Sequence, residues 1–463
     1  MEMIDTKEEM FVSLIKKAKQ KNNERQLVSM TEMVNDLSII HFFEAAKYMN
    51  ENRYFWMSAA KDFSFAGVGS AFVSTSDTGD AFEQTKNCWE QLVRDAVIHN
   101  PYKEKGTGIV NVGGFTFDPK KPKTDVWKDY ADGHFVIPTF LLTKVNGKTY
   151  LTTTIRVTEE MDSNQVVEDL SVKASRLMSE RVNLPKQAEV IQKNELAVSE
   201  WSETVKRARK EIRLQRAKKI VIAREMRIQM NKGAEISTLL NELINNQSDC
   251  YIFAYEQNDS CFVGATPERL VKITGDELLS TCLAGTFPRG KTIEEDLMIR
   301  NNLLHDAKNL EEHAYVVDMI RKSITPYCAT VHIEKKPVVL PLKNLQHLYT
   351  PVKARLKRTT SVLDIVKRLH PTPALGGEPA DVSLSFIREY ESLDRGWYGA
   401  PIGWMDSNAN SEFIVAIRSG LFQGNEASLF AGGGIMKDSE MDLEYEETIV
   451  KFSPMLQAMG DKG

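Results

Sequence analysis

Asn146-Gly147 stands between two β-rich runs, Phe135–Leu142 and Thr149–Arg156. Both residues tolerate positive φ, the backbone geometry of the two-residue turns that join antiparallel strands. That dipeptide commits the first part of the chain to antiparallel sheet. Further β-rich runs at Tyr54–Ala59, Gly67–Ser74 and Gly108–Phe117 offer it partners. Helices are expected over residues 1–21, which are amphipathic, and over Thr78–Ile98. From about Asn164 to Ala217 the chain reads as one long polar helical stretch with a single proline, Pro185. Strand-like runs then return at 219–224 (KIVIAR), 251–256 (YIFAYE), 261–265 (CFVGA), 268–273 (ERLVKI) and 415–422 (VAIRSGLF), alternating with helices. No fixed period repeats.

Composition narrows the function classes. The 463 residues suggest about three domains by length alone. Lys plus Arg is 59 against 64 Asp plus Glu, a net charge of −5, so the chain lacks the basic field of a dedicated nucleic-acid binder. Its 5 cysteines are widely spaced with no CxxC pair, and it has only 8 histidines. A disulfide scaffold, a structural zinc site and a transition-metal centre are all disfavoured. The N-terminus, MEMIDTKEEMFVSLIKKAKQ, is charged from the start, and Pro138 breaks one of the longer apolar runs. A reduced, cytoplasmic setting with no membrane partner is expected.

Several patterns could carry chemistry, each with a plainer reading. Gly285 to Thr292 (GTFPRGKT) fits the letters of a phosphate loop, but Pro288 removes a backbone donor from it. The glycine clusters at 376–377 and 432–434 allow close backbone approach to a ligand. Glu444 and Glu447 share a helix face in an acidic segment. They suit Mg²⁺, or simply a helix N-terminus. Glu312 lies off an apolar stripe of Leu303, Ala307, Leu310, Ala314 and Val317, where it is a ligand or a surface glutamate. Alternation along 219–224 puts Lys219, Val221 and Ala223 on one face and Ile220, Ile222 and Arg224 on the other. If both faces are covered, one cation points into protein. Lys219 is then a candidate general base, or a lysine that snorkels to water. Glu268, just after a proline, is a candidate general acid if burial raises its pKa. The basic run at 206–219 is either a phosphate patch or a solvated helix face laced by Glu203 and Glu211.

Seven segments in order, CLAGTFPRG (282–290), DAKNLEEH (306–313), LQHLYTPVKARL (345–356), LHPTPALGGEP (369–379), WYGAPIGW (397–404), FIVAIRSGLF (413–422) and AGGGIMKDSEMDLEYEET (431–448), resemble the chorismate-utilising enzyme family. The resemblance implies an α/β (α+β) fold of two large, mainly antiparallel β-sheets in a sandwich flanked by helices. It implies one large domain over 1–463, with 1–190 as supporting region and 195–460 as chorismate-binding catalytic region. Ala284 stands where members with a covalent lysine carry it, and Lys219 stands where anthranilate-forming members carry glutamine. Both imply a water-using member: an isochorismate synthase, of the menaquinone-pathway type by its long N-terminal region. Salicylate synthase, or an isochorismate synthase of siderophore synthesis, is the alternative. Carried over, Lys219 is the base and Glu268 the acid. Glu312, Glu447 and Glu444 would hold Mg²⁺. Gly285, Thr286, His347, Tyr398, Arg418, Gly432 and Gly434 would bind chorismate. A monomer or weak dimer without nucleic-acid partners is expected. Gly433 departs from the family's usual alanine, and Asn309 from an acidic residue of some relatives.

Overall fold

The computed structural model describes residues 7–21, 26–77, 79–179, 183–341 and 345–461. Two large sheets dominate, antiparallel except where Leu27–Val34 pairs parallel with Val97–His99. The first runs Val190–Glu195, Lys219–Met230, Glu426–Ile435, Ser419–Gln423, Ser260–Thr266, Tyr251–Gln257, Arg53–Met57, Phe63–Val68, Phe140–Val145, Lys148–Arg156, Leu27–Val34, Val97–His99, with Gly377–Glu378 added to Lys219–Met230. The second runs Cys328–Ile333, Leu345–Leu356, Glu277–Pro288, Arg269–Thr274, Asn410–Val415, Pro401–Asp406, Val110–Phe115, Gly133–Ile137, Phe72–Ser76, with Val338–Pro341 added to Leu345–Leu356. Each sheet takes strands from both halves of the chain. The expected turn forms at Asn146-Gly147, with φ of 52° and 73°, and joins Phe140–Val145 to Lys148–Arg156.

Burial sorts into three layers, as packing two-sided sheets requires. Between the sheets lies an aromatic layer that includes Trp56, Phe65, Trp127, Tyr255, Trp397, Trp404 and Phe430. Outside the first sheet, Phe11, Phe42, Leu240 and Phe452 from separate helices pack on strand residues such as Met226 and Ile228. Outside the second, Val317 and Val366 do the same, while Trp201 and Phe386, in the same cluster, pack on Lys219–Met230 of the first sheet.

Three runs that read as single strands are each two. Gly67–Ser74 divides into Phe63–Val68 and Phe72–Ser76. Phe135–Leu142 divides at Pro138 into Gly133–Ile137 and Phe140–Val145. VAIRSGLF divides into Asn410–Val415 and Ser419–Gln423. In every case the halves belong to different sheets, so the chain is turning a corner of the sandwich. Apolar periodicity cannot register the corners at Pro138 and at 416–418, because burial continues across them, whereas at the first corner Ser70 and Val73 are exposed. The stretch 164–217 is also interrupted: between the helices Ser163–Ser179 and Val198–Arg213, Val190–Glu195 becomes an edge strand on Lys219–Met230. The phosphate-loop pattern is overturned too. Gly285 to Pro288 continue the strand Glu277–Pro288, and the helix Ile293–His305 starts only after the pattern ends.

Candidate active site

Two sheet-switching corners meet. Pro267 and Glu268 link Ser260–Thr266 in the first sheet to Arg269–Thr274 in the second. Ala416 to Arg418 link Asn410–Val415 back to Ser419–Gln423. The corners are tied together: Val415 N donates to Glu268 O at 3.0 Å, and Ala265 N donates to Arg418 O at 3.1 Å. Arg418 has φ of 51°, left-handed for a residue with a Cβ. That conformation costs about 1–2 kcal/mol, and the surrounding bonds hold it.

Lys219 opens the strand Lys219–Met230 beside the glycines of Glu426–Ile435, with Val221 opposite Gly434 and Ala223 opposite Gly432. Its aliphatic stem crosses Gly434 so closely that a Cβ there would lie 2.5 Å from Lys219 Cε. A Cβ on Gly432 would lie 3.3 Å from the Tyr398 hydroxyl. On the opposite face, a Cβ on Gly433 would lie 3.0 Å from Glu444 Oε2. The glycines therefore thin the strand so that groups from both faces converge on it. Gly433, in place of alanine, gives the Glu444 carboxylate that room. These glycines lie in a strand, not in a loop. Beneath them a buried pair fixes the neighbouring backbone: Glu391 accepts from Ala223 N at 2.7 Å, and Arg395 donates to Val221 O and Leu375 O at 2.8 Å.

The Lys219 side chain is 23% exposed, and its Nζ lies 3.4 Å from Glu312 Oε1. Glu312 projects from the helix Ala307–Ile324. The buried residues of that helix are His313, Val317, Ile320 and Ile324, whereas Ala307 and Ala314 are exposed and Leu303 belongs to the preceding helix. The expected stripe was displaced because His313 is buried. Its ring meets Thr350 Oγ1 at 2.7 Å and Cys282 Sγ at 3.6 Å.

Glu268 is half-buried, and desolvation pushes its carboxyl up from 4.5. A bond from Thr372 Oγ1 at 3.5 Å and the charges of Lys219, Arg418 and Lys451 oppose that rise. Glu444 is also pushed up, first by desolvation, with Glu447 adding repulsion. Its Oε2 is buried without a hydrogen-bond partner among the described residues. Glu447 accepts from Lys451 Nζ at 2.5 Å, and the same ammonium donates to Gly432 O at 2.6 Å. Burial, with Arg418 nearby, lowers the His347 pKa, so its ring is neutral at physiological pH. Burial pushes Tyr398 up to about 12, leaving it a neutral phenol stacked 5.4 Å from Phe430.

Gly285 occupies a bulge with φ of 80°, under Asn309 and Leu348, each 3.1 Å from where a Cβ would lie. Asp306 caps the helix Ala307–Ile324, accepting from Asn309 N and Nδ2, both at 2.8 Å. Thr286 pairs through its backbone with His347. The side chains of Ala284 and Thr286 lie outside the described residues.

Among the described residues, no three His, Cys, Asp or Glu side chains converge closely enough to hold a metal ion. Glu312 and Glu447 are each engaged by a lysine, whereas Glu444 Oε2 has no partner to give up. The donor chemistry, hard carboxylate oxygens around an orphaned buried atom, nonetheless fits Mg²⁺. Sequence reasoning missed Lys451, Thr372 and Ser383, whose hydroxyl donates to Lys219 O at 3.0 Å. Lys451 was detectable as the cation one turn beyond Glu447. Thr372 and Ser383 left no such signal.

A cavity of about 660 Å³ lies elsewhere, lined by Asp77, Lys121, Lys123, Asp132 and His134 among others. Lys123 there pairs with Asp77 at 3.3 Å and Asp132 at 3.7 Å, so its charge is spent internally.

The family model described as "Chorismate binding enzyme" matches residues 13–460. Isochorismate synthase MenF of Bacillus subtilis is 38% identical over 451 residues, covering 96% of this chain and 95% of its own. The salicylate biosynthesis isochorismate synthase of Pseudomonas aeruginosa is 32% identical, covering 87% and 84%. The solved structure of MenF, the menaquinone-specific isochorismate synthase of Escherichia coli, superposes with a TM-score of 0.80 at 20% identity, covering 96% of this chain and 99% of its own. That likeness speaks to the fold.

Proposed function

Because the chain belongs to the chorismate binding enzymes, we propose that it converts chorismate to isochorismate, adding water at C2 of the ring as the C4 hydroxyl departs. Lys219, as the base, takes a proton from the attacking water. Glu268, protonated, gives a proton to the leaving hydroxyl on the other side of the ring, and the double bonds shift between the two carbons. The observation that carries this reading is the pairing of unlike environments. Glu268 is held toward its acid form by desolvation, and Lys219 is laid along a glycine strand with its amine at the cleft.

Arg418 offers a fork for one carboxylate of the substrate, and the Tyr398 hydroxyl and the backbone at Gly432 and Gly434 complete that wall. Gly285, His347 and, by the family resemblance, Thr286 would form the ring side. Glu312, Glu444 and Glu447 would hold Mg²⁺. When bound, that ion would neutralise the ring carboxylate and draw electron density from the ring. The 38% identity to isochorismate synthase MenF of B. subtilis, over nearly the whole of both chains, favours a place in menaquinone synthesis. We place the enzyme in the cytoplasm as a monomer or weak dimer. No helix of the described residues is long and apolar enough to cross a membrane.

The test is incubation of the purified protein with chorismate and Mg²⁺. Isochorismate as sole product supports the proposal. Salicylate plus pyruvate would make it a salicylate synthase, and unchanged chorismate would end the proposal.

A further inference from the structure

Arg224 lies on the opposite face of Lys219–Met230 from Lys219 and is 2% exposed. A guanidinium withdrawn from water needs partners, and those of Arg224 come chiefly from the helix Met441–Ala458. Its Nε donates to Thr448 Oγ1 at 2.7 Å. Its guanidinium lies 4.2 Å from the centre of the Tyr445 ring. Its Nη1 is ion-paired with Glu195 on the edge strand, and the Tyr445 hydroxyl donates to the same Glu195 oxygen at 2.7 Å. Thr448 is fully buried and donates to Tyr445 O at 2.6 Å.

Tyr445 and Thr448 alternate with Glu444 and Glu447 along one turn of that helix. Arg224 grips one side of the turn, and the adjacent side presents the carboxylates. The later turns of the helix are anchored by buried Phe452, Met455 and Ala458, whereas at its start Glu440 makes no side-chain capping bond and Leu443 is 65% exposed.

We infer that Arg224, through Thr448 and Tyr445, is a positioning residue that sets Glu444 and Glu447 for cation binding. One strand then carries the base on one face and, on the other, the clamp for the carboxylates. This inference rests on the Mg²⁺ role proposed above. The competing view, Arg224 as fold stabiliser only, predicts variants that melt earlier but bind a cation normally once folded.

The experiment is titration of the full-length protein with Mn²⁺, read by electron paramagnetic resonance of the free ion, for wild type, Arg224→Lys, Thr448→Val and Tyr445→Phe. Thr448→Val and Tyr445→Phe each remove one contact without unpairing the charge completely, so they keep the test open should Arg224→Lys fail to fold. We expect Mn²⁺ affinity to fall roughly tenfold in Thr448→Val and Arg224→Lys. At saturating Mg²⁺ the KM for chorismate should stay within about twofold of wild type, because substrate contacts are untouched. Unchanged Mn²⁺ affinity in folded Thr448→Val and Tyr445→Phe would overturn the inference, as would a wild type that binds no Mn²⁺. A wild type that binds Mn²⁺, shows the affinity loss in the variants and leaves chorismate unconverted would instead overturn the reaction assignment alone.

Discussion

Two regions of this chain are dense in charge, and they use it in opposite ways. On the helix Val198–Arg213 the charges answer one another at the surface. Lys206 pairs with Glu203 at 2.6 Å with both side chains about 60% exposed, and Arg216, just beyond the helix, pairs with Glu211 at 3.0 Å. Such pairs contribute little, on the order of 0–1 kcal/mol each. In the cleft, Lys219, Arg418 and Lys451 meet Glu268, Glu312, Glu444 and Glu447 with part of their water removed. Desolvation there raises carboxyl pKa values and leaves Glu444 Oε2 without a partner. Charge density in a sequence is therefore silent about chemistry until burial is known.

The contrast can be broken in several places. Lys219→Ala should lower kcat about 10³-fold with an unchanged circular dichroism spectrum; a near wild-type rate would mean water is activated by another group. Gly434→Ala keeps the lysine but displaces its stem, because the new Cβ would sit 2.5 Å from Lys219 Cε. A loss of about 10² in kcat is expected from that misplacement, measured beside an unchanged circular dichroism spectrum. Glu447→Gln should raise the Mg²⁺ concentration for half-activation roughly tenfold, and an unchanged metal titration would remove Glu447 from the ligand set.

Glu268→Gln tests the cost of the site rather than its output. In the folded protein the Glu268 carboxyl is held above its ordinary 4.5. As pH rises past that value, the unfolded chain releases a proton the folded chain retains, so stability is lost through the window up to the folded pKa. The variant escapes this loss. Its melting temperature should match wild type below about pH 4 and exceed it at neutral pH. A constant gap across pH would show that desolvation of the carboxyl is not the cause. Lys206→Ala and Arg207→Ala, on the surface helix, should stay within about 0.5 kcal/mol of wild type in stability, with turnover unaltered.

Legibility in the sequence followed the same divide. The antiparallel class was readable because Asn146-Gly147 states its own turn geometry. The paired faces of 219–224 were readable because strand alternation is strict, and Arg224 does point into protein. The corners were not readable. Val415 to Ser419 looks like one apolar strand because burial continues while the hydrogen-bonding partner changes. Helix stripes misled where a polar ring was buried. His313 takes a core position because Thr350 and Cys282 meet its nitrogens, and no periodicity rule assigns histidine there. The site residues themselves came from segment resemblance, since spacing alone left Glu312 and Lys219 with surface alternatives.

The bonds between the two corners have a further consequence for how the enzyme breathes. Val415 to Glu268 and Ala265 to Arg418 lock the sheets together at the floor of the cleft. Parting the sheets at these corners would require breaking both bonds. In hydrogen exchange, the amides of Ala265 and Val415 belong with the slowest class, opening only with the whole molecule. Heating should then extinguish the corner geometry and the fold in a single event.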